Sequence, residues 1–158
     1  MRRTHFFVVL DRSNSLVSSK EAHIEGLKAL VEKQQDQNPE PLFTCVQYYN
    51  ETPFDLIYDA VPISHATSFE VNPRGLAPLF DSIGKTLSHA QKTVKEDESP
   101  IFLIIAGGRD NFSVEWDKES LQYAMEKTGW QFHFIDNENI EASYEAICES
   151  CGCGVITA

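Results

Sequence analysis

Two stretches of the chain are apolar almost without interruption: residues 5–10 (HFFVVL) and 101–106 (IFLIIA). A strand with one face in water alternates apolar and polar positions, whereas a strand covered on both faces does not. Both runs therefore predict central strands of a parallel sheet with helices on either side. Residues 42–49 (LFTCVQYY) and 130–135 (WQFHFI), rich in aromatic and β-branched side chains, predict two more strands. Residues 54–63 (FDLIYDAVPI) predict a strand near an edge, because Pro62 has no amide to donate into a central ladder.

Helical spacing fills the gaps. Residues 20–35 place Ala22, Ile24, Leu27, Leu30 and Val31 close to one stripe. Residues 77–95 do the same with Leu79, Phe80, Ile83, Leu87, Ala90 and Val94, and Pro78 falls where a first turn tolerates proline. Residues 117–128 open with acidic side chains and stop at Gly129. A last helix over 140–150 and a short strand over 154–157 (GVIT) complete the pattern. Strands alternating with helices define an α/β, doubly wound domain with a mostly parallel central sheet flanked by helices and one antiparallel edge strand. Residues 1–158 read as a single domain, with only the polar turn 35–41 (QDQNPEP) between elements and no repeats. In such sheets ligands sit beyond the carboxyl ends of the strands. Three loops reach that edge: 11–16, 72–78 and 106–113.

Composition narrows the partners. The net charge of −11 argues against broad nucleic-acid binding, since phosphate contacts need a cationic surface. No run approaches the roughly 18 apolar residues of a membrane span, and the N-terminal apolar stretch is too short for a signal-peptide core. The expectation is a cytoplasmic protein whose partner is another protein, with neither nucleic acid nor membrane involved. Cys45 stands alone, while Cys148, Cys151 and Cys153 form a C-x-x-C-x-C cluster. With no second cysteine pair or paired histidines to complete a zinc site, they read as reduced thiols at the end of a helix, a metal or disulfide role being the alternative.

The first predicted strand ends in LDRSNS, which delivers Asp11, Ser13 and Ser15 together. These are hard oxygen donors spaced to hold a cation. The same residues have a structural alternative, since Asp and Ser after a strand also accept hydrogen bonds from the amides of their own loop. Two other loops carry recognisable frames: RGLAPLFDSIG opening the long helix, with Pro78, Leu79, Asp81 and Ile83, and IIAGGRDNFS after the central strand, with Gly108, Asn111 and Ser113.

In this order and on this scaffold, the three loops resemble the von Willebrand factor type A (vWA) domain of short bacterial or phage type, over about residues 4–157. The resemblance implies a Rossmann-like fold and a metal-ion-dependent adhesion site. D-x-S-x-S is matched in full by Asp11, Ser13 and Ser15. The family's threonine position, however, holds Ala77, and its T-D-G aspartate position holds Gly107, preceded by Ala106. One hydroxyl and one carboxylate are thus missing from the set that would hold Mg²⁺ or Mn²⁺, leaving a weak site for a hard divalent ion. Asp110, three residues past Gly107, is a nearby carboxylate at a spacing that differs from the family's ligand. Asp81, inside the second helix, is expected to anchor the loops.

Each of the three loops also holds an arginine. Arg12, Arg74 and Arg109 are three of the five in this acidic chain. With Asp110 they form the candidate partner-binding set, their guanidinium groups standing in for an ion toward a partner's carboxylate. The alternative is that they satisfy neighbouring carbonyls and carboxylates. No residue is assigned a catalytic role, because phosphate loops, dinucleotide fingerprints, H-E-x-x-H and nucleophile elbows are missing. His133, between Phe132 and Phe134 on its strand, reads as a satisfied, partly buried histidine, and His65 and His89 have no nearby nucleophile. The sequence thus points to a non-enzymatic interaction module that contacts its ligand at the carboxyl edge of the sheet, with weak or absent metal binding. The alternatives are a small α/β enzyme or nucleotide-binding protein using the same loops, with AGGRDN wrapping a phosphate, and a scaffold that has lost ligand function.

Overall fold

The computed structural model describes residues 2–135 and 137–153, with the side chains of the last helix described through Ile147. Five strands form one sheet: β1 (Arg3–Asp11), β2 (Leu42–Tyr49), β3 (Thr52–Pro62), β4 (Glu98–Ile105) and β5 (Gln131–Phe134), in the spatial order β3-β2-β1-β4-β5. Only β3 runs antiparallel, against β2 at one edge. The other three pairings are parallel, which places the ends of β1, β2, β4 and β5 at one edge of the sheet. Helices α1 (Lys20–Gln34), α2 (Leu79–Thr93), α3 (Lys118–Thr128) and α4 (Ile140–Cys153) cover the two faces.

The continuous apolar runs are explained by this layering. On β1, Phe6, Val8 and Leu10 enter one core with Leu27 and Leu30 of α1 and with Tyr144 and Ile147 of α4. Phe7 and Val9 point the other way, into a second core with Ile83 and Leu87 of α2 and Leu121 of α3. Phe6, Phe7 and Phe102 are fully buried. Each contributes on the order of 3–5 kcal/mol against truncation to alanine.

Several boundaries differ from the sequence pattern for a reason visible in the pairing. β4 begins at Glu98 rather than residue 101, and β1 at Arg3 rather than residue 5, because Arg3 pairs with Glu98 in the ladder. Those first positions are polar yet occupied: the His5 ring contacts Glu98 Oε1 at 2.8 Å through Nδ1 and Thr44 Oγ1 at 2.7 Å through Nε2. The expected strand over 154–157 and the side chains of Cys148, Cys151 and Cys153 lie outside what is described. Among the described residues, no helix is long and apolar enough to cross a membrane.

Candidate functional site at the carboxyl edge

Asp11 closes β1 in register with Tyr48 of β2 and is fully buried. Its Oδ1 accepts the amide of Ser13 at 2.6 Å, and its Oδ2 accepts the amide of Gly107 at 2.8 Å. Ser13 caps a short 3-10 turn (Asn14–Leu16), its Oγ accepting the Ser15 amide at 3.3 Å. The second loop is stitched to the first through backbone bonds, from Arg74 N to Arg12 O at 2.8 Å and from Asn14 N to Gly75 O at 3.0 Å. Gly75 sits at φ +78°, a left-handed conformation that favours glycine. Asn50 Oδ1 fixes the next residue by accepting Leu76 N at 2.8 Å.

The second and third loops clasp each other. Ala77 N donates to Asn111 Oδ1 at 2.7 Å, and Asn111 N donates back to Ala77 O at 3.0 Å. Helix α2 follows Pro78, which offers no side-chain cap, so its first amides need acceptors from elsewhere. Asp110 Oδ1 accepts Phe80 N at 3.0 Å, and Ser113 Oγ accepts Asp81 N at 2.9 Å while donating its own proton to Asp110. Asp81 answers from the helix. Its carboxylate accepts the amides of Val114, Glu115 and Trp116 at 2.8 to 2.9 Å. Asp81 therefore anchors the third loop, and Asp110 caps the helix.

These contacts decide how well the residues suit a divalent cation. Both Asp11 oxygens already accept backbone amides, and the Gly107 position presents an N–H donor where the family's site presents a carboxylate. A Cβ added to Gly107 would fall 2.5 Å from the carbonyl carbon and oxygen of Ser15 and 2.7 Å from the Leu16 amide nitrogen. The backbone of the first loop thus fills the volume an aspartate side chain would need. Ala77 is buried and brings no hydroxyl. The Tyr48 hydroxyl is buried with no hydrogen-bond partner among the described residues. Burial, followed by the charges of Asp11 and Asp110, pushes its phenol well above its ordinary range, so it stays neutral. No cluster of three His, Cys, Asp or Glu suited to a metal occurs among the described residues. This donor set does not fit a hard ion that demands several free oxygens. The Gly107 amide is equally unavailable to a phosphate, since it is committed to Asp11.

The three arginines separate into two environments. Arg12 and Arg74 place their guanidinium groups over the Tyr49 ring, at 4.6 and 5.0 Å from its centroid. Arg12 also lies 3.6 Å from Asp55, and Arg74 donates to the Tyr49 hydroxyl at 2.9 Å. Arg109 is exposed and forms no ion pair with a described residue. The sequence reading missed Tyr49, which organises two of these arginines; only its place at the end of a predicted strand hinted at it. It also missed the apolar character of the edge. Val17, Leu76, Phe112, Val114 and Phe134 all stand exposed there, Val114 at 86%. Their signal was apolar residues placed within otherwise polar loops.

A mostly parallel sheet with one antiparallel edge strand, two helices on each face and three interlocked loops at the carboxyl edge defines a doubly wound α/β domain. No family model and no curated protein matches the chain. Solved structures do. The VWA domain of SpRpn10 aligns over 91% of this chain and 82% of its own, at 12% identity and a TM-score of 0.64. Proximal thread matrix protein 1 from the mussel byssus aligns over 85% of this chain at 16% identity and a TM-score of 0.61. A von Willebrand factor type A structure from Catenulispora acidiphila aligns over 93% at 12% identity and a TM-score of 0.55. The chain spans 38% of the mussel protein and 42% of the Catenulispora one. The mussel protein has also been solved with a zinc-occupied MIDAS motif. The chain has the von Willebrand factor type A fold.

Proposed function

We propose that this domain is a non-enzymatic protein–protein interaction module that meets another protein with the carboxyl edge of its sheet. Carboxylate-to-amide hydrogen bonds, rather than a divalent ion, hold that edge in shape. The observation that carries the reading is the distribution of exposed large apolar side chains: five of the seven among the described residues lie at this one edge. Clusters of that kind mark interaction surfaces, since scattered single exposures are the rule elsewhere. Within the sequence-derived set, Arg109 and Arg74 contact the partner, and Arg12 and Asp110 fix the loops from behind. Asp11, Ser13 and Ser15 then serve as a loop clasp in place of a metal site.

The test is a capture experiment with three baits: the unaltered domain, a Val114→Asp/Phe112→Ser variant, and Lys95→Glu at the opposite edge of the sheet. The expected result is loss of partners from the double variant alone, with capture unaffected by EDTA. Equal yield from the double variant would overturn the edge as the working surface, and loss in EDTA would overturn its independence of metal. Micromolar binding of ATP or GTP in calorimetry would favour the nucleotide-binding alternative.

A further inference from the structure

Beside the interlocked loops lies a cavity of about 900 Å³ between α2, α3 and the end of β5. Its walls are Phe80 and Ile83 from α2, Leu121 and Met125 from α3, and Phe134 from β5. Phe134 is 56% exposed, so the cavity is open along β5, where a small-molecule site would close over most of its ligand. Two cations border it, Arg109 from the third loop and Lys118 from the start of α3. Both are exposed, and neither forms an ion pair with a described residue. Asp110 also lines the cavity, where its carboxylate accepts Phe80 N and the Ser113 hydroxyl, and Asp117 accepts Ser120 N at 2.8 Å. In a chain of net charge −11, the side chains lining this apolar groove carry two cations, without an ion pair among the described residues, against the one carboxylate of Asp110.

We propose that this groove docks an acidic amphipathic segment of a partner protein, its large apolar side chains filling the cavity and its carboxylates meeting Arg109 and Lys118. The proposal rests on the interaction-module reading and names the chemistry of the partner. Complementary charge selects the partner and its register, while the apolar contacts supply most of the affinity. Met125 suits the floor of such a groove, because its flexible thioether repacks around different side chains.

Met125 and Met1 are the only methionines, so NMR of methyl-labelled methionine gives a reporter inside the groove, assigned with Met125→Leu. The probe is a short amphipathic Leu/Glu peptide, with a matched Leu/Lys peptide as counter-probe. The expected result is a saturable shift of the Met125 methyl with the Leu/Glu peptide. R109E/K118E should weaken it about tenfold and gain binding of the Leu/Lys peptide. Both sites are exposed and form no ion pair with a described residue, so the melting temperature of this variant should match that of the unaltered protein. Phe134→Glu, also exposed, is an independent variant that should weaken the Leu/Glu peptide.

An unmoved Met125 methyl, or equal binding of both peptides before and after charge reversal, overturns the proposal. A Met125 shift driven by protein concentration alone, with a dimer in light scattering, assigns the groove to a second copy and also overturns it. If Val114→Asp/Phe112→Ser abolishes partner capture while R109E/K118E leaves it unchanged, the groove proposal fails together with the contact assigned to Arg109, and the interaction reading stands on the apolar edge alone.

Discussion

Asp11 and Gly107 are joined across 96 residues of sequence by a 2.8 Å hydrogen bond, from the Gly107 amide to a carboxylate oxygen buried at the end of β1. The same carboxylate holds the Ser13 amide. A group whose position suggests a metal ligand acts here as a clasp between two loops. Asp11→Ala leaves two amides without their acceptor at a buried site, which should cost about 2–4 kcal/mol. Urea unfolding measures it, and the loss should be the same with Mg²⁺ or with EDTA. A loss that appears only with Mg²⁺ present would restore the metal-site reading.

Restoring the family's residues should not restore a metal site. In Ala77→Thr/Gly107→Asp the new aspartate collides with the Ser15–Leu16 backbone, which has no soft side chain to yield. The expected outcome is a protein destabilised by about 1–3 kcal/mol with no calorimetric signal for Mg²⁺ or Mn²⁺. Tight binding by the double variant would show that the first loop moves aside readily.

Asp81 carries the third loop on three amides from inside α2. Asp81→Asn exchanges a charged acceptor for a neutral one with a single acceptor oxygen, at a cost of about 2–3 kcal/mol. Hydrogen exchange should locate the damage, with Val114, Glu115 and Trp116 losing protection while the β1 and β4 amides keep theirs. Uniform loss across the sheet would mean the loop is not held independently.

Acid should destabilise the domain through its buried histidines. Burial is the largest influence on His5, His23 and His133, and it lowers the pKa of each below 6.5. At His5 the neighbouring Glu98 opposes this without reversing it. A histidine whose folded pKa is depressed contributes stability that is present above about pH 6.5 and lost as pH falls through the folded value. The melting temperature should therefore hold from about pH 8 to about pH 6.5 and decline below. His133 Nε2 is buried with no hydrogen-bond partner among the described residues, so His133→Leu should gain more at acid than at neutral pH. A flat profile, unchanged by this variant, would remove His133 from the account.

The fold was legible because burial on two faces leaves a local mark. HFFVVL and IFLIIA announce central strands, and Pro62 announces an edge, without knowledge of what pairs with what. The ends of those strands were less legible. Glu98 and His5 are polar and look like loop residues until each is found against the other in the ladder. The meeting of the three loops at one edge was legible through Asp11, Ser13, Ser15 and the two substituted positions Ala77 and Gly107. The chemistry of that edge was not. The sequence registers Gly107 as a missing carboxylate, while the fold uses its bare backbone for close approach to Ser15 and Leu16.

Arg12, Arg74 and Arg109 make the same point, since nothing in their loops distinguishes them. Tyr49, supplied by β2, takes the first two, while the third is left facing solvent beside an apolar groove. The sequence by itself determined the layered α/β architecture and the edge at which its loops meet, because hydrophobic period and turn chemistry act over a few neighbouring residues. Only the tertiary structure decided that this edge is closed by hydrogen bonds and bordered by apolar side chains. Those facts depend on which distant amide reaches which carboxylate, and distance along the chain carries no record of that.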